Sequence, residues 1–228
     1  LREHLLHTIQ VKISINSLFM TQIINDMNAD NTITLGSVVA IGNFDGVHIG
    51  HQSLIKLIIE RAKSKNSNSG ILSFEPHPRE FFDKQKQSFK IMSADSRRKK
   101  LSKTGLDFII ELPFNKSVAN MEPSTFIEDI LHEKFGITHI IIGQDFKFGK
   151  ARSGNADMLK KLGKAFGIKV EIFEIKKNRN LNISSSRIRD LIKTGEVGTA
   201  NDLLGSCHSV IGKVQKGEQI GRKLGFPT

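Results

Sequence analysis

The sequence contains no tryptophan and no tyrosine, and only one cysteine, Cys207. A single cysteine excludes an internal disulfide framework and a multi-cysteine zinc site, and it fits a reducing compartment. Aromatic chemistry rests on 15 Phe, which can stack and pack but donate no hydrogen bond. No apolar run approaches the roughly 20 residues that span a bilayer, so a cytoplasmic protein with no membrane partner is expected. Acid is scarce relative to base: 34 Lys plus Arg stand against 23 Asp plus Glu, a formal net charge of +11. A surplus of this sign points to phosphate, carried either by nucleic acid or by a small substrate. Clusters such as Arg97-Arg98-Lys99-Lys100 and Lys160-Lys161 read as solvated helix faces. A small phosphorylated substrate is therefore favoured, and no nucleic-acid partner is expected.

What the chain does have is βαβ rhythm. Its 228 residues suit one full domain with at most a fragment of another. Short apolar runs at Val38–Ile41, Ile71–Phe74, Phe108–Leu112, His139–Ile142 and Val170–Ile175 predict strands of a parallel sheet covered on both faces. Amphipathic segments at His48–Ala62, Ala94–Ser102, Pro123–Phe135, Asn155–Phe166 and Ser184–Lys193 predict the helices between and after them. The expected fold class is α/β, a doubly wound sheet with ligands at the carboxyl ends of its strands. Residues 1–30 are expected to be an N-terminal extension, poorly ordered before Met20, the natural start. Residues 31–205 form the main domain. Residues 206–228 open a further domain, with a strand at His208–Val214.

The strongest chemical signal is Gly42-Asn-Phe-Asp-Gly-Val-His-Ile-Gly-His51, which joins the first predicted strand to the first helix. Two glycines and Asp45 allow a tight turn that brings backbone close to a ligand. His48 and His51 stand three apart at a helix start, where both can face one anion. Two imidazoles donating to phosphate oxygens would stabilise charge that develops on phosphorus under in-line attack. The second signal is Ile183-Ser-Ser-Ser-Arg-Ile-Arg189. Three hydroxyls, of Ser184, Ser185 and Ser186, with the Arg189 guanidinium one turn on make a second anion site, although a capped helix alone would look similar. Gly143-Gln-Asp-Phe-Lys-Phe-Gly149-Lys150 imitates a P-loop but fails as one. Its glycines are one residue too far apart, and Ala151 stands where a hydroxyl is needed. His77, between Pro76 and Pro78, reads equally as a ligand contact or a turn residue. Cys207 reads as packing. No residue set is assigned to a metal.

Four separated motifs, in this order and spacing, resemble prokaryotic bifunctional riboflavin kinase/FAD synthetases: the segment from Gly42 to His51, Phe74-Glu-Pro-His-Pro78, Ile142-Gly-Gln-Asp-Phe-Lys-Phe-Gly-Lys-Ala-Arg-Ser-Gly154, and Ile183 to Arg189. The resemblance runs from about Gly36 to the end. It implies a Rossmann-like nucleotidyltransferase of the His-x-Gly-His superfamily that transfers adenylyl from ATP to FMN, giving FAD and pyrophosphate, with Mg²⁺ required. By motif position His48, His51 and Arg189 would be catalytic, and Gly42, Asn43, Phe44, Gly46, Gly50, Ser184 and Ser185 would bind ATP. Pro78, Phe82, Asp145, Phe148 and Gly149 would sit near the flavin or its phosphate. Gly221-Arg-Lys-Leu-Gly-Phe-Pro-Thr228 resembles the opening of the family's kinase barrel, whose later residues are not in this chain, so riboflavin kinase activity is expected to be absent. The alternatives are another small nucleotidyltransferase, such as a nicotinate-mononucleotide adenylyltransferase, or a basic nucleic-acid-binding module with a relic site. Oligomeric state is left open.

Overall fold

The computed structural model describes residues 21–25, 31–83, 89–174, 183–213, 217, 220 and 224–226. The expectations for residues 1–20 and for Ile175 lie outside them, as do those for most of the terminal Gly221–Thr228 motif. Six parallel strands form one sheet: β1 (Gln22–Ile24), β2 (Val38–Ile41), β3 (Ser69–Glu75), β4 (Phe108–Pro113), β5 (His139–Gly143) and β8 (Lys169–Phe173), in the order β1-β4-β3-β2-β5-β8. Two short strands, β6 (Lys147–Phe148) and β7 (Gly154–Asn155), pair antiparallel apart from it.

The apolar runs form strands because both of their faces are covered. Every residue of β2 is buried, and alternate side chains enter different cores. Val39, Ile41, Leu72, Ile110, Leu112, Ile140 and Ile142 pack with Phe126, Ile127, Leu131 and Leu159 on one face. Val38, Ala40, Ile71, Ile109 and Ile141 pack with Leu54, Ile55, Ile58 and Leu101 on the other. The helices that supply these partners are α1 (Ile49–Ser64), α3 (Ala94–Leu101), the helix from α5 (Pro123–Thr125) through its π-helical continuation Phe126–Lys134, and α6 (Ala156–Gly163). Short helices α2 (Pro78–Phe82) and α4 (Lys116–Ala119) follow β3 and β4. A third cluster of Ile91, Ile188, Ala200, Leu203 and Leu204 joins α7 (Ser185–Lys193) to α8 (Val197–Leu204). The doubly wound α/β expectation holds.

Three expectations need correction. The sheet begins before residue 31, because Gln22–Ile24 pairs with Phe108–Ile110 as an edge strand. Its three residues are too short to show a period, and only Ile24 is buried. The strand expected at His208–Val214 is not formed: residues 207–213 carry no regular structure, and Val214 lies outside the described residues. Val210 and Ile211 are 84% and 73% exposed, so the alternation found in the sequence has no sheet to pair with. The basic run of α3 is not a plain solvated face either. Arg97 is 3% exposed and ion-paired to Glu75 and Glu111 at the ends of β3 and β4.

Candidate active site

From β2 the chain passes to β3 and β4 on one side and returns to β5 and β8 on the other, so the loops after β2 and β5 diverge at the centre of the sheet. Such a switch point leaves a crevice at the carboxyl ends of the strands. A cleft of about 1080 Å³ lies there. Of the residues singled out in the sequence, Gly42, Asn43, Phe44 and His51 line it from the turn after β2. Pro78 and Phe82 line it from α2, Asp145, Phe148 and Gly149 from the loop after β5, and Ser185 and Arg189 from α7. Four others are not among the lining residues. His48 caps α1, and Ser184 caps α7 by accepting from the Arg187 amide at 3.2 Å. Gly50 is buried in the first turn of α1. Gly46 faces the other way: a Cβ there would lie 3.0 Å from Ile91 Cδ1 and 3.1 Å from Leu204 Cδ2, and its φ of +85° suits glycine.

The turn after β2 is strained. Phe44 (φ +52°) and Val47 (φ +43°) both hold left-handed backbone that a bulky or β-branched side chain disfavours. The reward is the placing of two imidazoles. His48 Nδ1 accepts the His51 amide at 3.2 Å, so its neutral ring carries its proton on Nε2. The two rings stack with centroids 3.6 Å apart and 13° between planes, and Phe44 lies 5.0 Å from the His51 ring. Burial pushes His48 down to about 4, and burial followed by the neighbouring His48 holds His51 well below the ordinary histidine range. Both rings are therefore neutral near pH 7. His51 Nδ1 is buried without a protein hydrogen-bond partner, a polar atom in the cleft wall that a ligand can satisfy.

The serine motif meets the histidine turn through Asp45. Its carboxylate is 4% exposed and accepts the Ile91 amide at 3.0 and 3.1 Å, and Arg189 Nη2 donates to it at 2.7 Å. The Asp45 carbonyl accepts from Ser185 Oγ at 2.9 Å. Arg189 keeps a buried Nε without a partner, and its guanidinium lies 5.1 Å over the Phe89 ring, as does that of Arg79. Sequence reasoning treated Asp45 as turn chemistry, since Asp before Gly in a loop is ordinary. Its partner is 144 residues away, and no local signal discloses that. His77 caps α2 by accepting the Arg79 amide at 3.1 Å, as a turn residue would, and it also borders the cleft. Burial lowers it to about 4.

The other end of the cleft is apolar. Phe74 meets Phe114 edge-on at 5.7 Å, Phe126 lies 5.8 Å from Phe148, and Phe146 stacks on Phe148 at 5.4 Å. Phe82 is 64% exposed at its rim, an apolar face open to a ligand. Gly149 holds the loop after β5 at φ +71°, where a Cβ would strike Pro123 Cγ at 2.7 Å. The P-loop imitation from Gly143 to Lys150 contains strand β6 and runs into a three-residue 3₁₀ helix, Lys150–Arg152, where a P-loop opens an α-helix. Among the described residues no three His, Cys, Asp or Glu side chains group as a metal site, and no helix is long and apolar enough to cross a membrane.

Comparison with known proteins agrees with this geometry. The family described as FAD synthetase matches residues 30–187. A bifunctional riboflavin kinase/FMN adenylyltransferase of Buchnera aphidicola (subsp. Schizaphis graminum) is 38% identical over 197 residues, covering 86% of this chain and 63% of that protein. The Haemophilus influenzae protein of the same description is 34% identical, covering 91% and 67%, and the Escherichia coli K12 protein is 31% identical, covering 85% and 62%. The chain thus spans about two thirds of the length of these curated relatives. A crystal structure described as a macrolide-efflux protein from Streptococcus pneumoniae superposes with a TM-score of 0.76 at 27% identity, covering 91% of this chain and 67% of that one.

Proposed function

Because the chain belongs to the FAD synthetase family, we propose that it transfers the adenylyl group of ATP to FMN, releasing pyrophosphate and forming FAD. The observation that carries this is the division of one cleft into an end with unpartnered polar atoms of His51 and Arg189 and an end lined by Phe74, Phe82, Phe126 and Phe148. A phosphate oxygen of FMN attacks the α-phosphorus of ATP. The new phosphorus–oxygen bond forms as the bond to the β-bridging oxygen breaks, and the electron pair leaves with pyrophosphate. No covalent enzyme intermediate is needed.

Each residue's part follows from its setting. His51, neutral in its buried place, donates to a non-bridging α-phosphate oxygen as negative charge gathers there, with His48 stacked behind it to fix the ring. Gly42, Asn43 and Phe44 bring backbone and one apolar face to the nucleotide. The N-terminus of α7, with Ser184, Ser185 and the Arg189 guanidinium, takes the departing β- and γ-phosphates. Pro78, Phe82, Asp145, Phe148 and Gly149 border the flavin and its phosphate. Mg²⁺ suits this donor set only as a companion of ATP. Asp45 is already committed to an amide and to Arg189, so ATP phosphate oxygens, with Asp145, a further carboxylate of this site that lines the cleft, would hold the ion, which would supply partial neutralisation of the phosphate charge.

A nicotinate mononucleotide acceptor is disfavoured, because its single ring offers less apolar surface than a flavin to an end lined by Phe74, Phe82, Phe126 and Phe148. The discriminating experiment offers ATP and Mg²⁺ with FMN, with riboflavin and with nicotinate mononucleotide in parallel, and separates the products. FAD from FMN is expected, with no dinucleotide from nicotinate mononucleotide; the reverse preference would reassign the acceptor.

A further inference from the structure

A turn with left-handed Phe44 and Val47 persists only if its surroundings over-determine it. Two side chains that do not line the cleft each hold one of its carbonyls. Lys100 Nζ donates to the Gly46 carbonyl at 3.2 Å and to Ser206 Oγ at 3.0 Å. Gln52 Nε2 donates to the Val47 carbonyl at 2.9 Å and to the Leu204 carbonyl at 3.1 Å. Both bridge the same pair of segments, the turn that ends at His48 and the chain that closes α8. Apolar packing reinforces them, because Gly46 lies against Ile91 and Leu204. Beyond Ser206, the His208 amide donates to Asn201 Oδ1 at 2.6 Å and its ring Nε2 lies 3.2 Å from the Ile91 carbonyl. Ile91 in turn donates its amide to Asp45. The end of α8 therefore supports both the histidine side and the Asp45–Arg189 side of the cleft.

We propose that Lys100 and Gln52 are positioning residues for adenylyl transfer, bracing the His48–His51 turn against residues 204–206 at the end of α8. This rests on the proposed reaction. The brace acts on the placing of His51 against the α-phosphorus, not on the binding of ATP as such, so it belongs to turnover. Misplacement by about 1 Å can cost a factor of about 100 in rate. Lys100 supplies its two bonds from a half-buried ammonium on α3, and the exposed neighbour Lys99 makes neither.

The test compares Lys100→Met, Lys100→Arg, Gln52→Leu and Lys99→Met in the whole chain. With FMN, ATP and Mg²⁺, Lys100→Met is expected to lower kcat about tenfold or more while KM for ATP stays within about threefold. Lys100→Arg, which keeps charge and reach, should return to within about threefold of the parent, and Lys99→Met should match it. Gln52→Leu should move as Lys100→Met does, and it carries the test if Lys100→Met does not fold. A second readout does not depend on activity: in spectra of ring-labelled histidine, the His48 and His51 signals should shift in Lys100→Met and stay in Lys99→Met. If the parent chain makes no FAD, the proposed reaction fails and the ring signals still judge the brace. Parent-like kcat with unmoved ring signals in Lys100→Met would overturn the proposal, as would an equal loss in Lys99→Met.

Discussion

In the proposed reaction His51 is the donor to the reacting phosphate. It is held by a capping bond from its own amide and by the stacked His48 ring, and its Nδ1 has no protein partner. Removing one preorganised donor from a charge-developing site typically costs a factor of about 10² to 10³ in turnover. His51→Ala is expected to fall in that range while melting like the parent, and near-parent turnover would take His51 out of the reaction. Asp45 makes a different case, since it touches Arg189 and not the open cleft centre alone. Asp45→Asn keeps an acceptor for the Ile91 amide but leaves the Arg189 guanidinium, 12% exposed, without its anion. Breaking a buried pair in this way costs about 3 kcal/mol or more. A lower melting temperature together with reduced turnover at saturating ATP is expected, read by calorimetry and by FAD formation. At this scale the sequence was legible where spacing decides geometry. His48 and His51 sit at adjacent positions of one helix start, and Ser184 precedes an amphipathic helix. It was not legible for Asp45 or for buried Arg97, whose partners arrive only when distant strands and helices meet.

Among the elements, the strands were the easiest to read, because unbroken runs such as Ile140-Ile141-Ile142 have no stable place except a sheet covered on both faces. β1 escaped notice as a three-residue edge. α8 escaped because Val197, Gly198 and Thr199 depress helix propensity, and burial of Ala200, Leu203 and Leu204 against Ile188 overrides it. α7 illustrates how a cap fixes the start of a helix that borders the cleft. Ser184 satisfies the Arg187 amide at the start of the helix whose first turn faces the cleft. Ser184→Ala should cost about 1 kcal/mol. For a chain of this size that lowers the melting temperature by about 2–4 °C, measurable by thermal denaturation. An unchanged melting temperature would mean that the cap contributes nothing.

The whole molecule couples its stability to pH through histidines that are charged only when unfolded. Burial lowers His48, His77 and His139 to about 4 from the ordinary 6.5, and holds His51 well below the ordinary histidine range. Between about pH 6.5 and 4 the unfolded chain binds protons that the folded one refuses, so stability rises with pH through that window and is lost as pH falls. Each of His48, His77 and His139 removes on the order of 2 kcal/mol between pH 6.5 and 5. Denaturant melts at pH 7.5 and pH 5 should separate clearly, and the gap should survive added salt, which screens the repulsion of a chain with formal charge +11 but leaves proton linkage in place. Coincident melts would contradict the burial of these rings. The proposed reaction requires one cleft to align a flavin phosphate with the α-phosphorus of ATP. The most direct test is to quantify FAD and pyrophosphate in a single reaction of the purified chain with ATP, Mg²⁺ and FMN. Equal amounts of the two, with no AMP, are expected; AMP and pyrophosphate without FAD, or no product at all, would contradict the account.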